Sequence, residues 1–149
     1  MDRIEIYCDG GCRGNQHDEN IGGWGVVLRY RDNVKEFYGN AINTTNNRME
    51  LISCIEALRA INNKTIPTIV TMDSQYVVKG INEWIYGWLK KNWKTASGKH
   101  VENRDLWEEL LDLKKQFRDI EFVQCRGHAD NEGNNRADYL ANVAMDEIS

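Results

Sequence analysis

Three stretches of alternating apolar and polar residues fill most of the first 42 positions, and this feature narrows the possible folds more than any other. Residues 3–8 put Ile4, Ile6 and Cys8 on one face. Residues 22–30 put Trp24, Val26, Leu28 and Tyr30 in phase, and residues 35–42 do the same with Phe37 and Gly39. A period of two is the period of a strand. Asp9-Gly10-Gly11 predicts a turn after the first run, and Arg31-Asp32-Asn33 predicts a hairpin turn between the second and third. Together they predict an antiparallel meander. The period then changes. Thr44-Thr-Asn-Asn47 is a run of capping residues, and Met49, Leu51, Ile52, Ile55, Leu58 and Ile61 follow at helical spacing.

The rest of the chain alternates strand and helix signals. Residues 68–72 are short and apolar, the pattern of a central parallel strand. Asp73-Ser74 predicts a cap for a helix reaching about Ile81. A helical stretch rich in Trp and Lys covers 84–93, and 96–99 reads as a loop. Leu106, Leu110 and Leu113 fall in phase along a helix over 105–117. Residues 120–125 predict a last strand, 126–134 a polar loop, and a final helix starts at about Asn135 with Ala137, Leu140, Ala141 and Ala144 inward. The order βββαβα…αβα predicts an α/β fold in one domain over 1–149, a mixed sheet with helices packed on it.

Charge and composition exclude several classes. The longest apolar runs are four or five residues, too short to span a bilayer. The charged start, Met1-Asp-Arg-Ile-Glu-Ile, runs straight into a strand and does not read as a signal peptide. Cys8, Cys12, Cys54 and Cys125 form no Cys-x-x-Cys pair, so they read as reduced thiols and a cytoplasmic location is expected. The formal charge is −4, yet from Lys79 to Arg104 six bases face two acids, so that segment carries +4 and the remainder −8. Such a patch can bind phosphates. A solvated helix face explains it equally well.

Four acids stand where the elements could bring them together: Asp9 at the end of the first strand, Glu50 in the first turns of the first long helix, Asp73 at the end of the central strand, and Asp138 early on the last helix. If strands one and four are neighbours, Asp9 and Asp73 emerge at the same end of the sheet, where α/β ligand sites form. Singly, each has an ordinary structural explanation as turn, cap or solvated acid. Together they would repel one another unless a cation neutralised them. Carboxylates are hard ligands suited to Mg²⁺ or Mn²⁺. A four-carboxylate set is what a two-metal phosphodiester hydrolase needs, one ion acidifying the attacking water and the other stabilising charge on the leaving oxygen.

Several stretches match a known family in order and spacing. They are Tyr7-Cys-Asp-Gly-Gly-Cys-Arg-Gly-Asn15, Gly22-Gly-Trp-Gly25, Thr45-Asn-Asn-Arg-Met-Glu-Leu51, Met72-Asp-Ser-Gln-Tyr76, the stretch from Ile81 through Trp84, Trp88 and Trp93 to Lys94-Thr95, Asn103-Arg-Asp-Leu-Trp107, Arg126-Gly-His-Ala129 and Asn135-Arg-Ala-Asp138. Over nearly its whole length the chain resembles a type 1 ribonuclease H. The resemblance implies a ribonuclease H-like fold, a mixed sheet of three antiparallel strands then two parallel ones. It implies cleavage of the RNA strand of RNA–DNA hybrids by a monomer, with two Mg²⁺ ions, or Mn²⁺ as a substitute, held by Asp9, Glu50, Asp73 and Asp138. His128 would assist proton transfer or product release. Asn15, Asn46, Asn47 and Gln75 would read the minor groove and the ribose, since an amide can both donate to and accept from a 2′-hydroxyl. Thr45 and Asn103 would belong to a pocket for a DNA-strand phosphate. Tyr76, Trp84 and Trp88 would pack against the DNA sugars, although Trp84 and Trp88 at i,i+4 spacing also fit a core stripe, and at least one of Trp88 and Trp93 is expected in the core. Lys90, Lys91, Lys94 and Lys99 resemble a basic protrusion.

The chain departs from the family at several points. Gln16-His-Asp-Glu-Asn-Ile21 replaces a shorter Pro/Gly-rich turn, and His17 there has no assigned role. Asn43 stands where an arginine often completes the phosphate pocket. Asp130-Asn-Glu-Gly-Asn134 is acidic and lacks proline, and Asn135 stands where a glutamate is frequent. Three rival readings share parts of the pattern. Resolvases and transposase cores carry the carboxylates without the Asn46-Asn47 pair. A retroviral-type domain would lack the basic protrusion. A non-catalytic hybrid-binding module would be expected to have lost an acid.

Overall fold

The computed structural model describes residues 2–14, 19–125 and 131–149. Asn15, His17, His128 and most of the loop before the last helix lie outside the described residues. Five strands form one sheet in the order β3-β2-β1-β4-β5. They are β1 (Ile4–Gly14), β2 (Asn20–Tyr30), β3 (Asn33–Ile42), β4 (Thr68–Met72) and β5 (Ile120–Gln124). The first three pair antiparallel, and β4 and β5 run parallel to β1. The mixed sheet of three antiparallel and two parallel strands is therefore present.

The first strand does not turn at Asp9-Gly10-Gly11. It continues to Gly14, with Asp9 opposite Gly25 and Gly11 opposite Gly23. The glycines serve a close approach instead: a Cβ on Gly10 would lie 2.4 Å from the Met49 carbonyl carbon. β2 lies inside the sheet with helices on both faces, so Ile21, Val26, Val27 and Leu28 are all buried and its alternation is blurred.

The helices are α1 (Asn46–Arg59), α2 (Gln75–Lys79), α3 (Ile85–Lys90), α4 (Arg104–Lys115) and α5 (Glu132–Asp146). Thr45 caps α1 by accepting from the Arg48 N–H at 3.1 Å. Ser74, not Asp73, caps α2, accepting from the Val77 N–H at 3.2 Å. That leaves the Asp73 carboxylate free. Between α2 and α3 a π turn, Gly80–Trp84, continues the helix. The helix ends at Lys90, and Asn92 and Trp93 follow with φ of 55° and 61°. Trp93 is buried, as expected of at least one of the tryptophans. The last helix starts before Asn135. Asn131 caps it through a 2.8 Å bond from the Asn134 N–H, so Asp138 stands in its second turn. Polar residues and a glycine in the first turn conceal this start in the sequence.

α1 packs on β1 and β2 and against α4, whereas α5 covers β2, β1 and β3 on the opposite face. The main core, with Ile6, Leu51, Ile55, Leu58, Val70, Ile81, Trp107 and Leu110, fills the α1 side. Val27, Ala137 and Leu140 form a smaller cluster beneath α5, with Tyr7 against it. Among the described residues no helix is long and apolar enough to cross a membrane.

Candidate active site

The register of the parallel pair places the first two acids. Tyr7 lies opposite Thr71, so Asp9, still within β1, and Asp73, just past the end of β4, stand side by side. Because β4 ends at Met72, the β1 edge beyond it has no strand to accept its N–H groups. Side chains of α1 accept them instead. The Gly10 N–H donates to Glu50 Oε1 and the Cys12 N–H to Asn46 Oδ1, both at 2.7 Å. Asn46 and Glu50 are four residues apart and so share one helix face. The missing Cβ at Gly10 lets that face come close.

Carboxylate oxygens of Asp9, Glu50 and Asp73 all lie within 4.8 Å of one another. Asp9 is 6% exposed, Glu50 is half-buried, and Asp73 is the most open. Asp138, exposed on α5, stands outside this tight group, but its carboxyl is near enough to raise the pKa of Asp9. Burial, followed by the charges of Glu50 and Asp73 and the nearby Asp138, pushes Asp9 up to about 10. Glu50 is pushed up to about 8 by burial and then by Asp73, against the lowering pull of its bonds with Asp9 and the Gly10 N–H. Among the described residues no lysine or arginine forms an ion pair with any of the four acids. A hard, oxygen-only donor set under this mutual repulsion fits a divalent cation.

Of the expected substrate residues, Asn46 stands at this end of the sheet, its Oδ1 bound by the Cys12 N–H. Asn46 and Asn47 open α1 and Gln75 opens α2, all exposed. The Cys12 N–H occupies Asn46 Oδ1, so the Asn46 side chain has its amide N–H groups to offer as donors. The Tyr76 hydroxyl accepts from Asn103 Nδ2 at 3.2 Å and from Trp107 Nε1 at 3.1 Å. Its ring lies 5.3 Å from Trp107 and 6.3 Å from Trp84. Trp84 is exposed. Trp88 is half-buried, packed against the core and 5.3 Å from Trp107, so of this pair Trp88 alone belongs in part to the core. Lys90, Lys91, Lys94 and Lys99 are all exposed. A tight turn holds the last two, closed by Thr95 N–H to Lys99 O at 2.8 Å and Gly98 N–H to Thr95 O at 2.9 Å.

Two residues go unremarked in the sequence reading. Trp107 underlies Tyr76. Arg48 joins Asn103 and Asp105, with Nη1 3.2 Å from Asn103 Oδ1 and Nη2 3.0 Å from Asp105 Oδ2. Both belong to matching stretches, Thr45-Asn-Asn-Arg and Asn103-Arg-Asp-Leu-Trp107, but partners 31, 55 and 57 positions apart leave no local spacing signal.

Comparison with known proteins gives the family and similar folds. Residues 1–146 match the family model described as RNase H. The chain is 49% identical to a Ribonuclease H of Chromohalobacter salexigens over 148 residues, which covers 99% of this chain and 87% of the relative. Among solved structures it is similar to LC9-RNase H1, described as a type 1 RNase H with the type 2 active-site motif. The TM-score is 0.85 and the identity 33%, over 100% of this chain and 74% of that one. It is also similar to LC11-RNase H1 in complex with an RNA/DNA hybrid, with a TM-score of 0.72 and 27% identity over 98% and 99% of the two chains.

Proposed function

The chain belongs to the ribonuclease H family, and from that premise we infer that it is an endonuclease hydrolysing the RNA strand of RNA–DNA hybrids, leaving 3′-hydroxyl and 5′-phosphate ends. The observation that carries the reading is the meeting of Asp9, Glu50 and Asp73 within 4.8 Å of one another. These three and Asp138 would hold two Mg²⁺ ions, with Mn²⁺ as a substitute. Such ions supply activation of the attacking water and neutralisation of charge on the departing 3′-oxygen.

The remaining work falls to side chains. Asp9 and Asp73 come from adjacent parallel strands and Glu50 is anchored by the Gly10 N–H, so the donor set is built on rigid elements. Asn46, its oxygen already engaged by Cys12, presents donors to the minor groove, and Asn15, Asn47 and Gln75 complete the reading of the ribose. Thr45 and Asn103 bind a DNA-strand phosphate. Tyr76, Trp84 and Trp88 pack against the deoxyriboses, which a 2′-hydroxyl would crowd. His128 moves a proton or eases product release. Lys90, Lys91 and Lys94 hold the duplex electrostatically. The enzyme acts as a cytoplasmic monomer.

The test is cleavage of labelled RNA presented in a hybrid, in an RNA duplex and as a single strand, with and without Mg²⁺. Cleavage confined to the hybrid and to the metal-containing lanes is expected. Equal cleavage of the RNA duplex would overturn the reading.

A further inference from the structure

After α3 the chain folds back on itself. Asn92 and Trp93 reverse it with φ of 55° and 61°, Lys94 pairs with His100 across an antiparallel bridge, and the Val101 N–H returns to the Trp93 carbonyl at 3.0 Å. The base of this hairpin is anchored. Trp93 and Val101 are buried, and the Trp93 ring lies 6.2 Å from Trp88. His100 is exposed, but its backbone is held between the bridge to Lys94 and the buried Val101.

Between the hairpin and the helices lies an open cleft of about 250 Å³. Tyr76 and Trp88 line it from the helices, and Thr95, Lys99, His100 and Glu102 line it from the hairpin side. Aromatic rings facing hydroxyl and cationic groups suit a nucleic-acid strand, in which sugars alternate with phosphates. Lys99 and Glu102 carry opposite charges, so the lining has no net charge while the imidazole is neutral. Among the described residues neither Lys99 nor His100 forms an ion pair. The charged and titratable groups around His100 are Lys99, Glu102 and Tyr76 in the cleft and Lys94 across the bridge. Imidazole is the side chain that gains its charge as pH falls from 8 to 5. An anion beside an imidazole favours the charged form, so such a contact strengthens at low pH and is lost as pH rises.

We propose that His100 is a pH-dependent contact to the DNA strand of the hybrid: once protonated, it gives the Tyr76–Trp88 cleft the charge that binds a phosphate. The proposal rests on the hybrid-binding reading above and adds to it a residue whose contribution varies with pH.

The experiment measures hybrid affinity in Ca²⁺ at about pH 5.5 and about pH 8, either side of the imidazole range, over several salt concentrations. Wild type, His100→Gln and His100→Lys are compared. Titration of the carboxylate cluster is common to all three and cancels in the comparison. At the lower pH the slope of log affinity against log salt should be steeper in wild type than in His100→Gln by about 0.9, the contribution of one phosphate contact. Wild type should also bind about tenfold tighter there, the scale of a hydrogen bond to a charged group. At the higher pH the two should bind alike, and His100→Lys should keep the steeper slope at both. An uncharged methylphosphonate linkage, moved along the DNA strand, should reveal a position to which wild type is sensitive only at the lower pH and His100→Gln at neither. Because His100 is exposed, the three proteins should melt together. Equal steepening in wild type and His100→Gln would overturn the proposal, and so would a DNA-strand scan with no position that depends on both pH and His100. Wild type that binds no hybrid at either pH would instead defeat the functional reading itself.

Discussion

The Asp73 side chain is spared a capping role because Ser74 supplies the hydroxyl that closes α2. Its carboxylate therefore has no structural duty that a substitution would disturb, and Asp73→Asn isolates chemistry from fold. The variant should cleave the hybrid at least roughly 100-fold more slowly at saturating Mg²⁺, since losing even an outer partner of a metal ligand costs about 10–100-fold. Its hybrid affinity in Ca²⁺ should stay close to wild type. Retention of more than a few per cent of the wild-type rate would remove Asp73 from the catalytic set. At this scale Asp73 and Glu50 were legible in the sequence, because the end of β4 and the start of α1 are local signals, whereas Asp9 was singled out as a strand end although it lies inside β1. The link from Arg48 to Asn103 and Asp105 was not, because it depends on how α1 and α4 dock.

Elements were legible where their period was clean and hidden where a residue served two purposes. β4 lies at 68–72 as its apolar run predicts. β1 outruns its predicted end because Asp9-Gly10-Gly11 has the composition of a turn while its glycines serve the approach of α1. The π turn was not foreseen. Its first residue, Gly80, lies against Trp107, where a Cβ would fall 2.0 Å from the ring. Gly80→Ala gains about 1 kcal/mol of helix propensity but overpacks the core, which commonly costs about 1–3 kcal/mol and more when a ring cannot move. Trp107 is fully buried beneath Tyr76 and Trp88 and has little room to move. A net loss of about 2 kcal/mol is expected in urea unfolding, and an unchanged midpoint would show that the ring yields. The lysine-rich end of α3 gives a second test. Lys90, Lys91 and Lys94 are exposed whether they bind phosphate or merely water. Each phosphate contact contributes about −0.9 to the slope of log affinity against log salt. Replacing all three by Ala should flatten that slope by about 2 to 3 units while leaving the rate at saturating substrate nearly unchanged. An unaltered slope would make the stretch plain surface.

For the whole molecule, the acid cluster makes stability depend on pH and on cations together. An acid whose pKa rises on folding binds its proton more tightly in the folded state. Where folded and unfolded chains are both protonated there is no penalty. As pH climbs past the ordinary carboxylate range the unfolded chain ionises first, and stability falls until the folded values are reached, about 8 for Glu50 and about 10 for Asp9. Among the described residues, other shifted groups act outside this window. Asp105 and Glu36 are lowered by their partners Arg48 and Arg136, so their contribution is lost only as pH falls below the carboxylate range. Burial raises Cys8, Cys12 and Tyr7 above values already near 9 or 10, so they matter only at higher pH. Of the described residues, then, the interval from pH 5 to 8 reports on the cluster. In EDTA the melting temperature should fall across that interval. Added Mg²⁺ should raise it by little at pH 5, where protons compete for the same oxygens, and by more at pH 8, because binding to the fold alone stabilises by mass action. Asp9→Asn removes the most strongly shifted acid. It should melt higher than wild type in EDTA at pH 8, with a flatter pH dependence and a smaller gain from Mg²⁺. A wild-type melting temperature that rises from pH 5 to 8 without metal would show that these carboxylates do not repel one another in the folded protein, and the argument for a cation between them would lose its physical basis.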